Sequence, residues 1–390
     1  MIDIYDASYI FFRNSTVLRD YCLIVQNGLI LDVIKNDSWE LHKYRNDSRY
    51  ISCKNQALIP SFFDCHCHLE LTGLHENKRY HSLYDLMNDS GCYHRDECND
   101  EQARGQRKSL DNGACRIMDW VSRKRLPSIA YESVDSIKLF VEIIDTKELL
   151  DIKKLDASLP ASYGIAPHSL YMVHPNQFHQ MFQTKRELTM HIAETPDESR
   201  WLFHGDGKLY EHCTAKGGIA PLRGSYSNYG EALKGIFGCR IPPFIFVHGT
   251  YLDAEGLDYM KINHSCLCLC PLSNRRLTGA LPDINLLLEK DVTLLLGSDC
   301  FEADFDLLSQ ASMFLEKEHS LQYEIASRLF NAMTINGANA FRLNHIYGTL
   351  DIGKRADFNI IDFNPSRQLT DENFSYYVLK EGCLLEHITN

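Results

Sequence analysis

Eight short apolar runs, separated by longer polar or helix-periodic stretches, constrain the fold of this 390-residue chain more than any other feature. Runs that are apolar throughout are typical of parallel strands buried on both faces, with crossover helices between them. The runs cover residues 58–63, 115–119, 138–144, 163–166, 187–192, 244–247, 266–270 and 293–296. Eight strands joined by helices predict a (β/α)8 barrel, an α/β fold.

The two ends of the chain have a different pattern, with short strands in place of alternating strands and helices. Runs 22–26 and 29–34 flank Asn27-Gly28, which is the favoured pair for a two-residue type I′ hairpin turn. Residues 356–362 form the clearest strand of the C-terminal segment, and apolar residues from 305 to 333 fall at helical spacing. We predict a composite β-sandwich domain from residues 1–58 and 346–390, and a barrel over residues 59–345.

Composition and charge narrow the classes of partner. The chain is 44% hydrophobic and 24% charged, as is ordinary for a globular protein, and its net charge of -12 argues against binding nucleic acid or an anionic membrane. A small-molecule substrate is therefore expected, and a homodimer stays open. Fourteen cysteines, several inside apolar runs, favour a reducing cytoplasm. No apolar run reaches the roughly 18 residues of a membrane span, and no basic leader precedes the first apolar residues.

Most of the runs end on a side chain that can bind a metal or transfer a proton. The first run is followed by Asp64-Cys65-His66-Cys67-His68, and the others lead to His168, His191, Glu194, His248 and Asp299. In a barrel enzyme the active site is built at the carboxyl ends of the strands. We therefore expect these side chains to converge, although they are far apart in sequence.

His66 and His68 are the most informative pair in this set. Alternate residues of a strand point the same way, so both imidazoles can reach one cation at a metal–nitrogen distance of about 2.0–2.1 Å. The pair alone is weak evidence, but the other polar residues at strand ends turn it into a predicted metal site. Cys65 and Cys67 are expected to face the opposite side as small core residues. The role of Cys300, beside Asp299, is left open.

Six segments carry a family resemblance. They are 58–68 (LIPSFFDCHCH), 191–195 (HIAET), 247–249 (VHG), 270–275 (CPLSNR), 296–299 (LGSD) and 348–357 (GTLDIGKRAD). In this order they resemble the amidohydrolase superfamily, in its subgroup of nucleobase and triazine deaminases and chlorohydrolases. Within that subgroup the 270–279 loop is most similar to the aminofutalosine deaminases.

The resemblance implies roles for individual residues. It implies one divalent metal, zinc first and iron second, bound by His66, His68, His191 and Asp299. It also implies Glu194 as the proton shuttle, His248 as the residue that orients a water molecule, and Asp299 as an acceptor for that water. Substrate contacts are expected from His168, Asn274, Arg275 or Arg276, and Glu70. Relatives with two metals use a modified lysine, for which Lys147 is the nearest candidate here, but one metal is favoured.

The same resemblance implies a hydrolytic deaminase of an adenine-type nucleoside, converting 6-amino-6-deoxyfutalosine to futalosine and ammonia on a menaquinone route. Adenosine or guanine deamination, triazine hydrolysis and an imidazolonepropionase-like reaction stay open as alternatives. A catalytically inactive scaffold is disfavoured because all six polar positions are present. Zinc deaminases of the other architecture need a P-C-x-x-C motif, which this chain lacks. Residues 75–113 hold Cys92, His94 and Cys98 without zinc-knuckle spacing, and we expect a mobile loop there.

Overall fold

The computed structural model describes residues 1–13, 16–73, 99–129, 131–144, 150–215, 226–300, 305–316, 320–364 and 369–389. Two features considered from the sequence lie outside these ranges, namely Lys147 and the set of Cys92, His94 and Cys98. Among the helices in the described ranges, none has the length and apolar character needed to cross a membrane.

The strands of the described residues form two sheets. The terminal sheet contains β1 (Ile2–Phe11), β2 (Val17–Gln26), β3 (Leu29–Lys35), β4 (Ser48–Pro60), β13 (Phe358–Asp362) and β14 (Cys383–Ile388), in the order β14-β13-β4-β1-β2-β3. The barrel sheet contains β5 (Phe62–Cys67), β6 (Ala114–Ser122), β7 (Ile137–Ile143), β8 (Gly164–Pro167), β9 (Leu188–Ile192), β10 (Phe244–His248), β11 (Cys266–Leu269) and β12 (Thr293–Leu296), in sequence order.

The barrel sheet closes on itself through its first strand and the segment that follows its last strand. Cys67 and Asp299 form a parallel bridge, in which the N–H of His68 donates to the carbonyl of Asp299 at 2.9 Å and the N–H of Asp299 donates to the carbonyl of His66 at 3.0 Å. The neighbouring pairs from β6 to β12 are parallel. The predicted (β/α)8 barrel with a β-domain built from both chain ends is confirmed.

Helices follow most of the barrel strands, as a parallel sheet requires. They are α1 (Asn99–Asp111), α2 (Ile152–Ser158), α3 (Pro175–Phe182), α4 (Pro196–His204), α5 (Lys208–Ala215), α6 (Tyr229–Phe237), α7 (Ala254–Ile262), α8 (Pro271–Thr278), α9 (Ile284–Lys290), α10 (Leu307–Ser312), α11 (Gln322–Met333), α12 (Ile335–Ala340) and α13 (Phe374–Glu381). Several begin at a side chain that accepts a backbone N–H, such as Asp253 at α7 and Asp283 at α9.

The hairpin of β2 and β3 in the terminal sheet has the features that predicted it from the sequence. Asn27 and Gly28 have φ angles of 51° and 74° between β2 and β3, as a type I′ turn requires, so the predicted hairpin is confirmed. Leu23 and Val25 of β2 pack in one apolar cluster, whereas Cys22 and Ile24 pack in another. Successive residues of β2 are therefore buried on opposite faces of this sheet.

Three boundaries differ from the prediction. Residues 58–63 are not one strand, because Leu58 to Pro60 end β4 in the terminal sheet and β5 begins at Phe62 in the barrel. Both segments are fully buried, so the sequence is apolar across the break. Helix α1 lies in the stretch expected to be a loop, and α13 lies in a segment expected to contain strands.

The chain divides into two compact units. One contains residues 1–65, 108–116 and 306–390, and the other contains residues 66–107 and 117–305. Each unit groups residues that lie close together in space. The domain boundaries expected at residues 58/59 and 345/346 stay a prediction. All of the residues discussed in the following site belong to the second unit, except for Cys65 and the Phe63 that it contacts.

Candidate active site

The structure brings together the six polar side chains that follow the apolar runs. His66 lies in β5, with His68 directly after it, and the remaining residues lie at or just beyond the ends of β9, β10 and β12: His191, Glu194, His248 and Asp299. All six are buried. They form two groups, one of His66, His68 and His191 and one of Glu194, His248 and Asp299, and within each group the possible ligand atoms lie within 4.8 Å of one another.

The backbone that presents these residues is unusual at three positions. Ala193, His248 and Asp299 have φ angles of 50°, 77° and 66°, in the left-handed region that residues other than glycine rarely adopt. Such conformations cost free energy and cluster at functional sites, where the surrounding structure enforces them. At the ends of β10 and β12 they turn the chain so that His248 and Asp299 belong to one group.

The three histidines fit a metal ion. Nε2 of His191 lies 3.3 Å from Nε2 of His66 and 3.4 Å from Nε2 of His68. A tetrahedral site with metal–nitrogen distances of about 2.0–2.1 Å has edges of about 3.3–3.4 Å between its ligand atoms, so this spacing fits nitrogen ligands of one divalent metal ion. Burial lowers the pKa of His66, and it lowers the pKa of His68 and His191 well below 6.5. Neutral imidazoles are the form that binds a metal.

Asp299 completes a donor set for a cation. Its Oδ1 lies 3.7 Å from Nε2 of His66 and 3.9 Å from Nε2 of His68, while the hydroxyl of Ser273 donates to Oδ2. Burial opposes the ionised carboxylate, but interaction with the nearby His66 and His248 lowers the pKa of Asp299 overall. Three neutral imidazoles and one ionised carboxylate suit Zn²⁺ or Fe²⁺.

Glu194 and His248 form the part of the site that can move protons. Oε1 of Glu194 lies 3.7 Å from Nε2 of His248. Burial raises the pKa of Glu194, although His248 opposes the shift, so this carboxyl group can carry a proton nearer to neutral pH than an exposed glutamate can. The backbone N–H of Glu194 donates to Oε2 of Glu198 at 3.1 Å, which fixes the loop after β9.

Two of the expected substrate-binding residues, His168 and Glu70, are buried and do not belong to the ligand groups. The His168 ring centroid lies 4.8 Å from that of His191, and burial lowers the pKa of His168 to about 3. Oε2 of Glu70 lies 3.3 Å from Nε of Arg125. Burial raises the pKa of Glu70 to about 7, with Asp119 adding to the shift and Arg125 opposing it.

The other expected substrate-binding residues lie on α8. Asn274 is buried, and its Oδ1 lies 2.8 Å from Nδ1 of His248, so it supports a residue of the second ligand group. Arg275 and Arg276 are exposed on the same helix. The substrate contacts expected of these three residues stay a prediction.

The cysteines near the metal ligands pack into the interior. The thiol of Cys65 donates to the carbonyl of Phe63 at 3.6 Å, and the thiol of Cys67 donates to the carbonyl of Met118 at 3.5 Å. Cys300 is also buried. None of the three belongs to the ligand groups found among the described residues.

Several residues of the site were not anticipated from the sequence. The Trp120 ring centroid lies 4.6 Å from that of His66 and 4.3 Å from that of His191, so its indole packs against two candidate ligands. The Asp119 carboxylate accepts hydrogen bonds from the backbone N–H of Leu69 at 2.9 Å and from the Tyr131 hydroxyl at 2.6 Å, which fixes the turn after His68. A signal existed for Asp119, because it ends the second apolar run.

Comparisons with known proteins show the family of this chain. Residues 127–384, more than half of the chain, match the model of the amidohydrolase family. A curated adenosine deaminase of Helicobacter pylori is 23% identical over 397 residues, covering 93% of each chain.

Two solved structures show the same fold. The aminofutalosine deaminase of Helicobacter pylori in complex with methylthio-coformycin has a TM-score of 0.78 and 20% identity, covering 100% of this chain and 98% of that chain. An adenosine deaminase of Xanthomonas campestris with bound zinc has a TM-score of 0.70 and 18% identity, covering 99% of this chain and 91% of that chain.

Proposed function

The chain belongs to the amidohydrolase family, and we propose that it is a metal-dependent hydrolytic deaminase of an adenine-type nucleoside. The observation that carries the proposal is the pairing of a three-histidine cluster with a second group of Glu194, His248 and Asp299 in one buried site. Metal ligands and a proton-transferring carboxyl group are the two components that metal-assisted hydrolysis of a C–N bond uses.

In the proposed reaction, different side chains bind the metal, transfer protons and orient the nucleophile. A divalent metal held by His66, His68, His191 and Asp299 would supply an activated water molecule at neutral pH. As the oxygen of that water bonds to the amino-bearing carbon, Glu194 takes one proton from the water and passes it to the adjacent ring nitrogen. Glu194 then passes the remaining proton of the new hydroxyl to the departing amine. His248 presents Nε2 toward Glu194 and orients the nucleophile. The C–N bond breaks, ammonia leaves, and a ring carbonyl remains.

We propose one metal per chain, with zinc first and iron second. The spacing of 3.3 and 3.4 Å between histidine nitrogens supports a single shared cation. The zinc in the Xanthomonas campestris neighbour supports the identity of the metal. Elemental analysis of carefully purified, active protein tests both points, because an active chain without a transition metal, or with two per chain, contradicts the proposal.

For the substrate we propose 6-amino-6-deoxyfutalosine, which would yield futalosine and ammonia on a menaquinone route. The similarity to the Helicobacter pylori aminofutalosine deaminase over the whole chain supports this choice. The substrate carries a carboxylated aryl group, and Arg275 or Arg276 would pair with that carboxylate. Both arginines are exposed on α8, the helix that also holds Asn274 against His248.

The arginine assignment has its own test. Loss of one charge-assisted hydrogen bond costs about 1.5–3 kcal/mol. Arg275→Ala should therefore lower kcat/KM for the carboxylated substrate by roughly ten- to a hundredfold, and should hardly change the value for adenosine. Equal losses for both substrates would remove Arg275 from carboxylate recognition.

A substrate panel tests the reaction itself. Release of ammonia from aminofutalosine, adenosine and guanine, and of chloride from a chlorotriazine, would be compared for the metal-loaded protein, with Glu194→Gln as the inactive control. Turnover of the adenine compounds supports the proposal. Turnover of guanine or the triazine alone would refute the adenine assignment and retain a metal-dependent hydrolase.

We also propose a cytoplasmic location. Twelve cysteines of the described residues are thiols, and nine of these are buried, as suits a reducing compartment. Their behaviour toward a thiol reagent tests this proposal. Among the twelve described cysteines, the native protein should react mainly at the exposed Cys239 and Cys383. The denatured protein should react at all fourteen cysteines of the sequence without prior reduction.

A further inference from the structure

Glu142 is a buried carboxylate that the roles proposed above do not use. It lies near the end of β7, its exposed fraction is 2%, and neither of its oxygens accepts a hydrogen bond from any described residue. The basic group beside it is His168, whose Nε2 lies 3.9 Å from Oε1, beyond hydrogen-bonding distance.

The position of Glu142 relates it to the site. His168 lies close both to Glu142 and to the candidate metal ligands, since its Nε2 lies 3.9 Å from Oε1 of Glu142 and its ring centroid lies 4.8 Å from that of His191. Glu142 also lines a cavity of about 60 Å³ at the carboxyl ends of β6 and β7, together with Arg123 and Lys124. Neither of these cations donates a hydrogen bond to Glu142.

Burial of a carboxylate without hydrogen-bond donors costs free energy. A carboxylate that is buried without hydrogen-bond donors loses its hydration, and no protein hydrogen bond compensates for the lost free energy. Burial raises the pKa of Glu142 well above its usual range, and the nearby Glu70 adds to the shift, so hydrogen-bond donors from a ligand are what would favour the ionised form. The protein would recover this free energy if a ligand brought one hydrogen-bond donor to each oxygen of Glu142. The ligand group must therefore be rich in donors and carry no negative charge.

We propose that Glu142 accepts hydrogen bonds from the 2′- and 3′-hydroxyls of the substrate's ribose and makes the enzyme selective for ribonucleosides. This inference rests on the proposed deaminase function. In an adenine nucleoside the amino group and the sugar are attached at opposite sides of the purine. With the amino-bearing carbon at the metal ligands, the purine passes His168 and the sugar lies one side chain further out, where Glu142 is placed.

The experiment compares adenosine with 2′-deoxyadenosine, 3′-deoxyadenosine and 2′,3′-dideoxyadenosine, using the zinc-loaded protein. Each missing hydroxyl should lower kcat/KM by about ten- to a hundredfold, because each removes a hydrogen bond to a charged acceptor. In Glu142→Leu the activity on adenosine should fall by about a hundredfold or more, and the four substrates should differ by less than about threefold. Glu132→Gln, which changes an exposed carboxylate paired with Arg107, serves as the control and should keep the wild-type preference.

A thermal unfolding measurement separates this role from a structural one. Removal of a buried carboxylate that lacks donors should leave the Tm of substrate-free Glu142→Gln equal to or above that of the wild type. A lower Tm together with an unchanged ribose preference would overturn the assignment. Equal wild-type activity on the four nucleosides would overturn it while leaving the deaminase intact. If the zinc-loaded protein released ammonia from no nucleoside, the proposed function and this inference would both be wrong.

Discussion

Nδ1 of His248 lies 2.8 Å from Oδ1 of Asn274. An amide oxygen only accepts hydrogen bonds, so Nδ1 of the neutral imidazole carries the proton and Nε2 keeps its lone pair. Nε2 is the nitrogen that faces Glu194, at 3.7 Å. Asn274 therefore selects the tautomer of His248 that can accept a hydrogen bond inside the site.

We expect Asn274→Leu to lower kcat by roughly ten- to a hundredfold while the metal content stays unchanged. Leucine is similar in size but cannot accept the Nδ1 proton, so His248 loses its preferred tautomer and orientation. Asn274→Asp keeps an acceptor oxygen and should recover much of the activity. Steady-state kinetics and metal analysis of both variants provide the measurement.

A control for this prediction lies on the same helix. The Thr278 hydroxyl donates to the carbonyl of Asn274 at 3.0 Å and is not part of the contact with His248. Thr278→Ala should keep near-normal kcat. Equal losses in Thr278→Ala and Asn274→Leu would assign the effect to disturbance of α8 and not to the tautomer.

The barrel and the ligand groups could be predicted because each corresponds to a pattern within a short stretch of the sequence. Strands buried on both faces are apolar throughout, so residues such as Phe244 to Val247 stand out, and the polar His248 that follows them marks the strand end. Convergence then follows from the topology, since parallel strands of one barrel end on one face.

Contacts between segments correspond to no such pattern. Nothing in the sequence near Glu142 or Trp120 shows that the first approaches His168 or that the second packs on His66 and His191. The left-handed backbone of His248 and Asp299 was equally invisible, because the surrounding structure enforces it against local preference. The break at Ser61 was missed because burial on both sides makes the sequence continuously apolar.

Glu194→Gln should lower kcat by roughly two to four orders of magnitude, the range that a positioned acid–base group supplies, and should keep the metal. Glutamine preserves the size of the side chain but cannot carry the proton. His66→Ala should instead lose the metal, because it removes one of the three clustered imidazoles. Near-normal turnover of Glu194→Gln would move the proton-shuttle role to another carboxyl group, with Glu70 as the next candidate.

The protein should release its metal only at a pH below the range in which exposed histidines titrate. Protons compete with the metal only when the pH falls to the pKa of the ligand histidines, and burial lowers the pKa of His68 and His191 well below 6.5. Dialysed protein should therefore keep its metal at pH 6 and release it only in distinctly more acidic buffer, as measured by elemental analysis. Loss of half the metal by pH 6.5 would show that these imidazoles titrate as exposed histidines do.

Glu198 should make the protein less stable as the pH rises. Burial raises its pKa from 4.5 to about 8, although the backbone N–H groups of Ala193 and Glu194 oppose the shift. A carboxyl group whose pKa is raised by folding contributes stability that is fully present below its unfolded pKa and is lost as the pH rises through its folded pKa.

Glu198→Gln stays neutral throughout and keeps an oxygen for the N–H of Glu194. The Tm of this variant should equal that of the wild type near pH 4.5 and exceed it increasingly up to about pH 8, beyond which the difference levels off. The exposed Glu211→Gln should follow the wild type at every pH. Parallel Tm curves for Glu198→Gln and the wild type would show that Glu198 is already ionised in the folded protein at neutral pH.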